Sequence, residues 1–193
     1  VLFSGTACQV AAVRRLFHRY NEQLVTVEIL CHGVPSPAVW QSYIDEIKKK
    51  EQVDSLAPIT FRDKSEGWHA YTISFCGGKI RRKKDAYMTG FGESLFLRPS
   101  CHACPFKGYR SGADIMLGDA WNIEKASRLP RHNDNRGVSL VMARREVAIP
   151  GLDLVSIAEM APLLDQNPAI LRPAVPSPRR AEFFSCWRSG CDF

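Results

Sequence analysis

The chain has 193 residues, 45% hydrophobic and 24% charged, which is the balance of a globular protein rather than a disordered one. No apolar run approaches the roughly 18 residues of a membrane span, and no charged segment leads an apolar stretch at the start, so neither a span nor a secretory signal is expected. The net charge is +6, partly from the run Lys79, Arg81, Arg82, Lys83 and Lys84; lacking aromatics at stacking spacing, it reads as a solvated strand end rather than a nucleic-acid surface, and it suits anionic cofactors equally well.

The sequence opens at Val1, without Met, directly in a strand-like run, and the expectation is a fragment lacking an N-terminal part. Residues 1–4 read as the end of a buried strand, followed by the turn Gly5-Thr6. Residues 8–20 place Val10, Val13, Leu16 and Phe17 at helical spacing, and 24–30 is an apolar, β-branched strand. Strand, helix and strand within about 30 residues is the βαβ pattern, which implies two parallel strands. Ser36-Pro37 opens a second helix that sets Val39, Trp40, Tyr43, Ile44 and Ile47 on one face and ends at Lys48, Lys49 and Lys50.

Short strands are expected at 59–62, 71–76 and 79–82, the last two joined by a hairpin at Gly77-Gly78. A helix over 86–97 buries Tyr87, Phe91, Leu95 and Phe96, and a loop with Cys101 and Cys104 follows. Strands at 114–117 and 138–144 flank the turn-rich stretch 118–137. Pro162, Pro168, Pro173, Pro176 and Pro178 break regular structure and predict an extended arm. The fold class is α/β (mixed α+β): a small, partly parallel sheet with flanking helices, an added hairpin and a Pro-rich C-terminal arm. Residues 1–160 form the main domain and 161–193 the arm.

Seven cysteines in a chain of this size, without an export signal, point to a reducing, cytoplasmic compartment and to metal-bound or free thiols. Cys101-His102-Ala103-Cys104-Pro105 is the sharpest local signal, since two intervening residues let both sulfurs reach one metal. Alone, such a pair reads as half a zinc site, half an iron–sulfur site or a redox dithiol. Cys8 and Cys31 supply partners: each lies just past the C-terminal end of one parallel strand, so both fall on the same sheet edge. Four thiolates are the complement of a 4Fe-4S cluster. A structural zinc site made from the same four cysteines, in a binding module, is the rival, although such sites usually come as two close pairs. A third reading, a thiol enzyme acting through Cys8, has no evident His–Asp partners. Cys76 reads as core, and Cys186 with Cys191 as an additional metal pair at most.

Several motifs then occur in fixed order: Gly5-Thr6-Ala7-Cys8-Gln9, Cys31-His32-Gly33-Val34-Pro35-Ser36-Pro37, Phe61-Arg62-Asp63-Lys64 with Gly67-Trp68, Arg98-Pro99-Ser100-Cys101-His102-Ala103-Cys104, Gly118-Asp119-Ala120-Trp121, and Gly137-Val138-Ser139-Leu140-Val141. From residue 1 to about residue 184 the chain resembles the C-terminal domain of the coenzyme F420 hydrogenase/dehydrogenase beta subunits. One departure is Ala7, where the family commonly has Pro, which leaves the Cys8 turn less fixed.

The resemblance implies an iron–sulfur flavoprotein oxidoreductase. It would pass electrons between a reduced deazaflavin or another small hydride donor, FAD and a 4Fe-4S cluster held by Cys8, Cys31, Cys101 and Cys104. Other redox subunits or a ferredoxin-like module are the implied partners, and coenzyme F420 a possible substrate. On the same footing, Gly5, Thr6, His32, Gly33, Arg62, Lys64 and Asp119 are flavin-site candidates: the glycines for close backbone approach, Arg62 and Lys64 for anionic groups, and Asp119 for a ring nitrogen or ribose. His32 and His102 adjoin the ligands and could hydrogen-bond to cluster sulfurs.

Overall fold

A computed structural model describes residues 1–121, 123, 135–144, 151, 154, 156, 157 and 160–191. Most of the predicted turn-rich stretch, residues 122 and 124–134, lies outside the described residues. The chain divides into two compact units: residues 1–32 with 104–173, and residues 33–103 with 174–193.

The first unit is built on a four-stranded sheet. Strand β1 (Leu2–Thr6) leads through helix α1 (Ala7–Leu16) into β2 (Val25–Ile29), and the two strands pair in parallel with Thr6 opposite Ile29. Gln9, at the third helical position of α1, reaches back to accept from the Thr6 N–H at 2.9 Å, which satisfies a donor that the helix start leaves open. The helix stops at Leu16 with Arg14 and Arg15 in its last turn, and a 3-10 segment (His18–Gln23) fills the rest of the expected helix. Strand β6 (Ile115–Asp119) adds in parallel to β2, and β7 (Ser139–Ala143) pairs antiparallel on the far side of β6.

Helix α1 covers one face of this sheet, where Val10 is fully buried. Thr26 lies on the same side and accepts from Arg14 of α1 at 2.8 Å. On the opposite face Val25 and Ile29 stay about half exposed. Leu163 and Ile170 complete a second cluster with Met116, Ala120 and Leu140. They come from helix α5 (Ala161–Gln166) and a 3-10 turn at Pro168–Ile170, where an extended segment was expected. Pro162 and Pro168 stand in the first turns of these elements, where a missing N–H costs nothing.

The second unit packs helix α2 (Pro37–Glu51) against an antiparallel sheet of β3 (Thr60–Asp63), β4 (Thr72–Phe75) and β5 (Ile80–Arg82). Ser36 caps α2, Pro37 opens it and three lysines close it. The β4–β5 turn is Cys76-Gly77-Gly78, with Gly77 at φ 64°. Helix α3 (Ala86–Gly92) ends earlier than the apolar periodicity suggests, because Ser94 takes φ 60° and breaks the helix. The short α4 (Pro99–His102) precedes the unit boundary, and α6 (Arg180–Arg188) returns with Phe183, Phe184 and Trp187 against the core. That core is aromatic: Tyr43, Tyr87 and Phe96 stack in sequence with centroids 5.1 and 4.9 Å apart.

Candidate functional site

Strand register fixes where the cysteines of the first unit stand. Thr6, Ile29, Leu117 and Val141 form one row across the sheet. Cys8 and Cys31 each lie two residues beyond that row, and Asp119 lies two beyond it on β6. Thr6, Cys8, Cys31, His32 and Asp119 are thereby collected at the C-terminal edge of the parallel strands, the edge at which open α/β sheets bind ligands. Cys8 is exposed in the first turn of α1, with the Thr6 hydroxyl 3.3 Å from its sulfur. Cys31 is half-buried.

The loop carrying Cys104 is anchored to the same edge by Lys107. This buried ammonium donates to the backbone carbonyl of Cys31 and, at 2.8 Å, to that of Ala169. Close by in β2, Glu28 is only 3% exposed and accepts from the Ser111 hydroxyl. Burial pushes its carboxyl above the usual carboxylate range, against the opposing pull of Ser111 and the Lys107 charge. Sequence reasoning missed this Glu28–Ser111–Lys107 group. An acidic residue inside the β-branched run 24–30 was the available signal.

In the second unit Cys101 lies in α4, and its sulfur accepts the Val34 N–H at 3.3 Å. Backbone ties from Arg98 to Val34 at 2.8 Å and a bridge between Pro35 and Leu97 hold that loop to the segment after His32. A side chain at Gly33 would put its first carbon 2.7 Å from Leu97 and 3.4 Å from Cys101, so the packing there already favours glycine. His102 bonds through Nδ1 to the Ala174 carbonyl at 2.8 Å, which makes Nδ1 the donor and leaves the buried Nε2 without a described partner. Arg62 lies over the Tyr71 ring at 5.1 Å, Lys64 is exposed in the turn after β3, and Trp68 is buried at 3% exposure.

Gly5, Thr6, His32 and Asp119 therefore belong to the first unit, and Gly33, Arg62 and Lys64 to the second. Gly5, like Gly33, is crowded by its own neighbours: an added carbon would meet Gln9 at 3.0 Å and Phe3 at 3.1 Å. Cys76, expected as a core cysteine, stands instead in the turn after β4, partly buried against the aromatic core with its thiol 3.4 Å from the Ser55 carbonyl. Cys186 and Cys191 are joined in a disulfide, in place of the metal pair considered from the sequence.

The donor chemistry suits an iron–sulfur cluster. Cys8, Cys31, Cys101 and Cys104 are all outside disulfides, and Cys101 already accepts an N–H···S bond. The spatial arrangement is less complete: among the described residues no three His, Cys, Asp or Glu side chains are grouped as a metal ion requires.

Residues 1–164 match the family described as the C terminus of the coenzyme F420 hydrogenase/dehydrogenase beta subunit. No curated protein and no solved structure matches. Among the described residues no helix is long and apolar enough to cross a membrane.

Proposed function

Given that the chain belongs to the coenzyme F420 hydrogenase/dehydrogenase beta-subunit family, an oxidoreductase family whose beta subunit implies further redox subunits, we propose that it is an iron–sulfur flavoprotein module of such an enzyme. In this reading Cys8, Cys31, Cys101 and Cys104 are the ligands of one 4Fe-4S cluster, and FAD lies beside it. The electron source is coenzyme F420 or another small hydride donor, and the acceptor another redox subunit or a ferredoxin-like module. The observation that carries the proposal is the register of β1, β2 and β6, which brings Cys8, Cys31 and Asp119 to one sheet edge, with the Cys104 loop tied there through Lys107.

Bound together, a flavin and a cluster convert a two-electron hydride transfer into single-electron steps. The chain's own residues do the holding. Val34 N–H lies against the Cys101 sulfur and would stabilise its negative charge, while Lys107 fixes the Cys31 backbone. Asp119 is assigned to a flavin ring nitrogen or ribose, with His32, Gly5 and Thr6 at the same edge. Arg62, Lys64 and Gly33 are assigned to the anionic and planar parts of the cofactor.

Anaerobic reconstitution tests the proposal. Roughly four iron and four sulfide per chain are expected, with broad visible absorbance, and Cys101→Ser or Cys104→Ser should abolish both. Cys76→Ser should leave the iron in place. Stoichiometric zinc without iron would instead establish the zinc-stabilised module. If iron binds but Asp119→Ala leaves flavin affinity unchanged, the flavin assignment fails and the cluster assignment stands.

A further inference from the structure

Cys186 and Cys191 close a disulfide at the end of α6, with Cα atoms 5.4 Å apart, while the other five cysteines stay outside disulfides. Both bridged residues are exposed. The bridge spans a sequence separation of only 5, so it removes little freedom from the unfolded chain and is a poor structural staple. Exposed disulfides are the ones most open to exchange. The helix that carries it is nevertheless well fixed: the Trp187 indole N–H donates to the Ser42 hydroxyl at 3.1 Å, and Phe183, Phe184 and Trp187 pack on the aromatic core. Gly190 turns the chain back at φ 84°, and the Ser189 hydroxyl donates to the Cys186 carbonyl at 2.8 Å while lying 3.7 Å from the Cys191 sulfur.

Beside Cys191 opens a cleft of about 320 Å³, walled by Trp187 and by Ser42, Asp45, Glu46 and Lys49 of α2. Its size is at the lower end for small-molecule sites. Its charges are mixed: two carboxylates and one ammonium complement a ligand that carries an ammonium and a carboxylate of its own. The disulfide stands at the wall of this cleft, where such a ligand would meet it.

We propose that Cys186–Cys191 is a thiol–disulfide exchange site, and that the cleft takes a zwitterionic low-molecular-weight thiol of the glutathione kind. In the reducing direction the ligand's thiolate attacks the Cys191 sulfur. The S–S bond breaks, Cys186 leaves as a thiolate and takes a proton from water, and a mixed disulfide remains on Cys191. A second ligand thiolate attacks the ligand sulfur of that mixed disulfide. Cys191 is released beside the Ser189 hydroxyl and protonated, and the small disulfide departs. Two small thiols are thereby oxidised to one disulfide, and the pair gains two electrons and two protons. The small disulfide drives the reverse. This site is independent of the cluster and flavin assignments.

The test equilibrates the full chain in glutathione buffers of varied thiol-to-disulfide ratio, blocks thiols by alkylation and reads the peptide containing both cysteines by mass spectrometry. The pair is expected to pass from bridged to doubly alkylated within the accessible ratios, and Cys186→Ser to trap glutathione on Cys191. Lys49→Gln and Asp45→Asn should each slow exchange with glutathione by about tenfold, the worth of one lost charged contact. Both should leave exchange with the uncharged disulfide of mercaptoethanol unchanged. A pair that stays bridged, or stays open, at every ratio would overturn the exchange site. Equal slowing, or none, with both reagents would overturn the cleft as its binding site.

Discussion

Glu28 shows how one buried side chain sets a pH dependence. Its carboxyl, buried in β2, has a folded-state pKa raised by burial above the usual carboxylate range, despite the Ser111 hydroxyl and the Lys107 charge. The folded state then binds this proton more tightly than the unfolded chain, so stability falls as pH rises from the usual carboxylate range through the folded value. Glu28→Gln keeps an acceptor for Ser111 and removes the titration. Urea unfolding between about pH 4 and pH 8 should show the variant gaining on the parent as pH rises. Asp114 works in the opposite sense. Burial alone would raise its pKa, but bonds from the Thr26 N–H and hydroxyl, together with Arg14, outweigh that and hold it below the usual range. Its contribution is present above the carboxylate range and lost as pH falls below it, so Asp114→Asn should flatten the stability profile when the urea series is carried below about pH 4.

At the scale of elements, Asp85 joins three pieces of the second unit. It accepts the Met88 N–H at 3.1 Å to cap α3, the Tyr43 hydroxyl of α2 at 2.5 Å, and Arg82 of β5 at 3.3 Å, with its side chain 1% exposed. Removing it takes an acceptor from the buried Tyr43 hydroxyl and one of two carboxylates from Arg82, which keeps Glu51 at 3.3 Å, so Asp85→Ala is expected to cost about 2 kcal/mol, and Tyr43→Phe about 1 kcal/mol. Their double mutant should cost less than the sum, a coupling that equilibrium denaturation measures. The phenol stays a donor, since burial and the adjacent Asp85 raise its pKa beyond the usual tyrosine range. The elements themselves were largely legible: the βαβ start, the Ser36-Pro37 helix opening and the Gly77-Gly78 turn all carry local chemistry that dictates their shape. Less legible was the end of α3, decided by the backbone at Ser94 and not by the apolar period that runs past it. Residues 161–170 were missed for a related reason, because a proline at a helix start and a proline in an extended chain read alike in sequence.

The whole molecule is assembled from discontinuous pieces, and its two units should respond separately to damage. Phe183 of α6 lies 5.5 Å from Phe96 in the core of the second unit. Phe183→Ala should speed hydrogen exchange in α2 and α3 while leaving β1 and β2 protected, as expected if each core forms its own cooperative unit. The site was legible only in part. Cys8, Cys31 and Asp119 follow from strand register once the strands are recognised, whereas Lys107 and Ser111 reach their partners across 76 and 83 residues and leave no local trace. That separation also bears on how the chain acquires its shape. β1 can find β2 across a loop of about 22 residues, but β2 meets the β6 segment across about 88. Two doublings of loop length add roughly 1 kcal/mol of closure entropy. At ~5–20 residues per second of synthesis, β2 also waits several seconds for its neighbour to emerge. Throughout that interval one edge of β2 is bare, and the nascent chain must keep it from pairing with anything else.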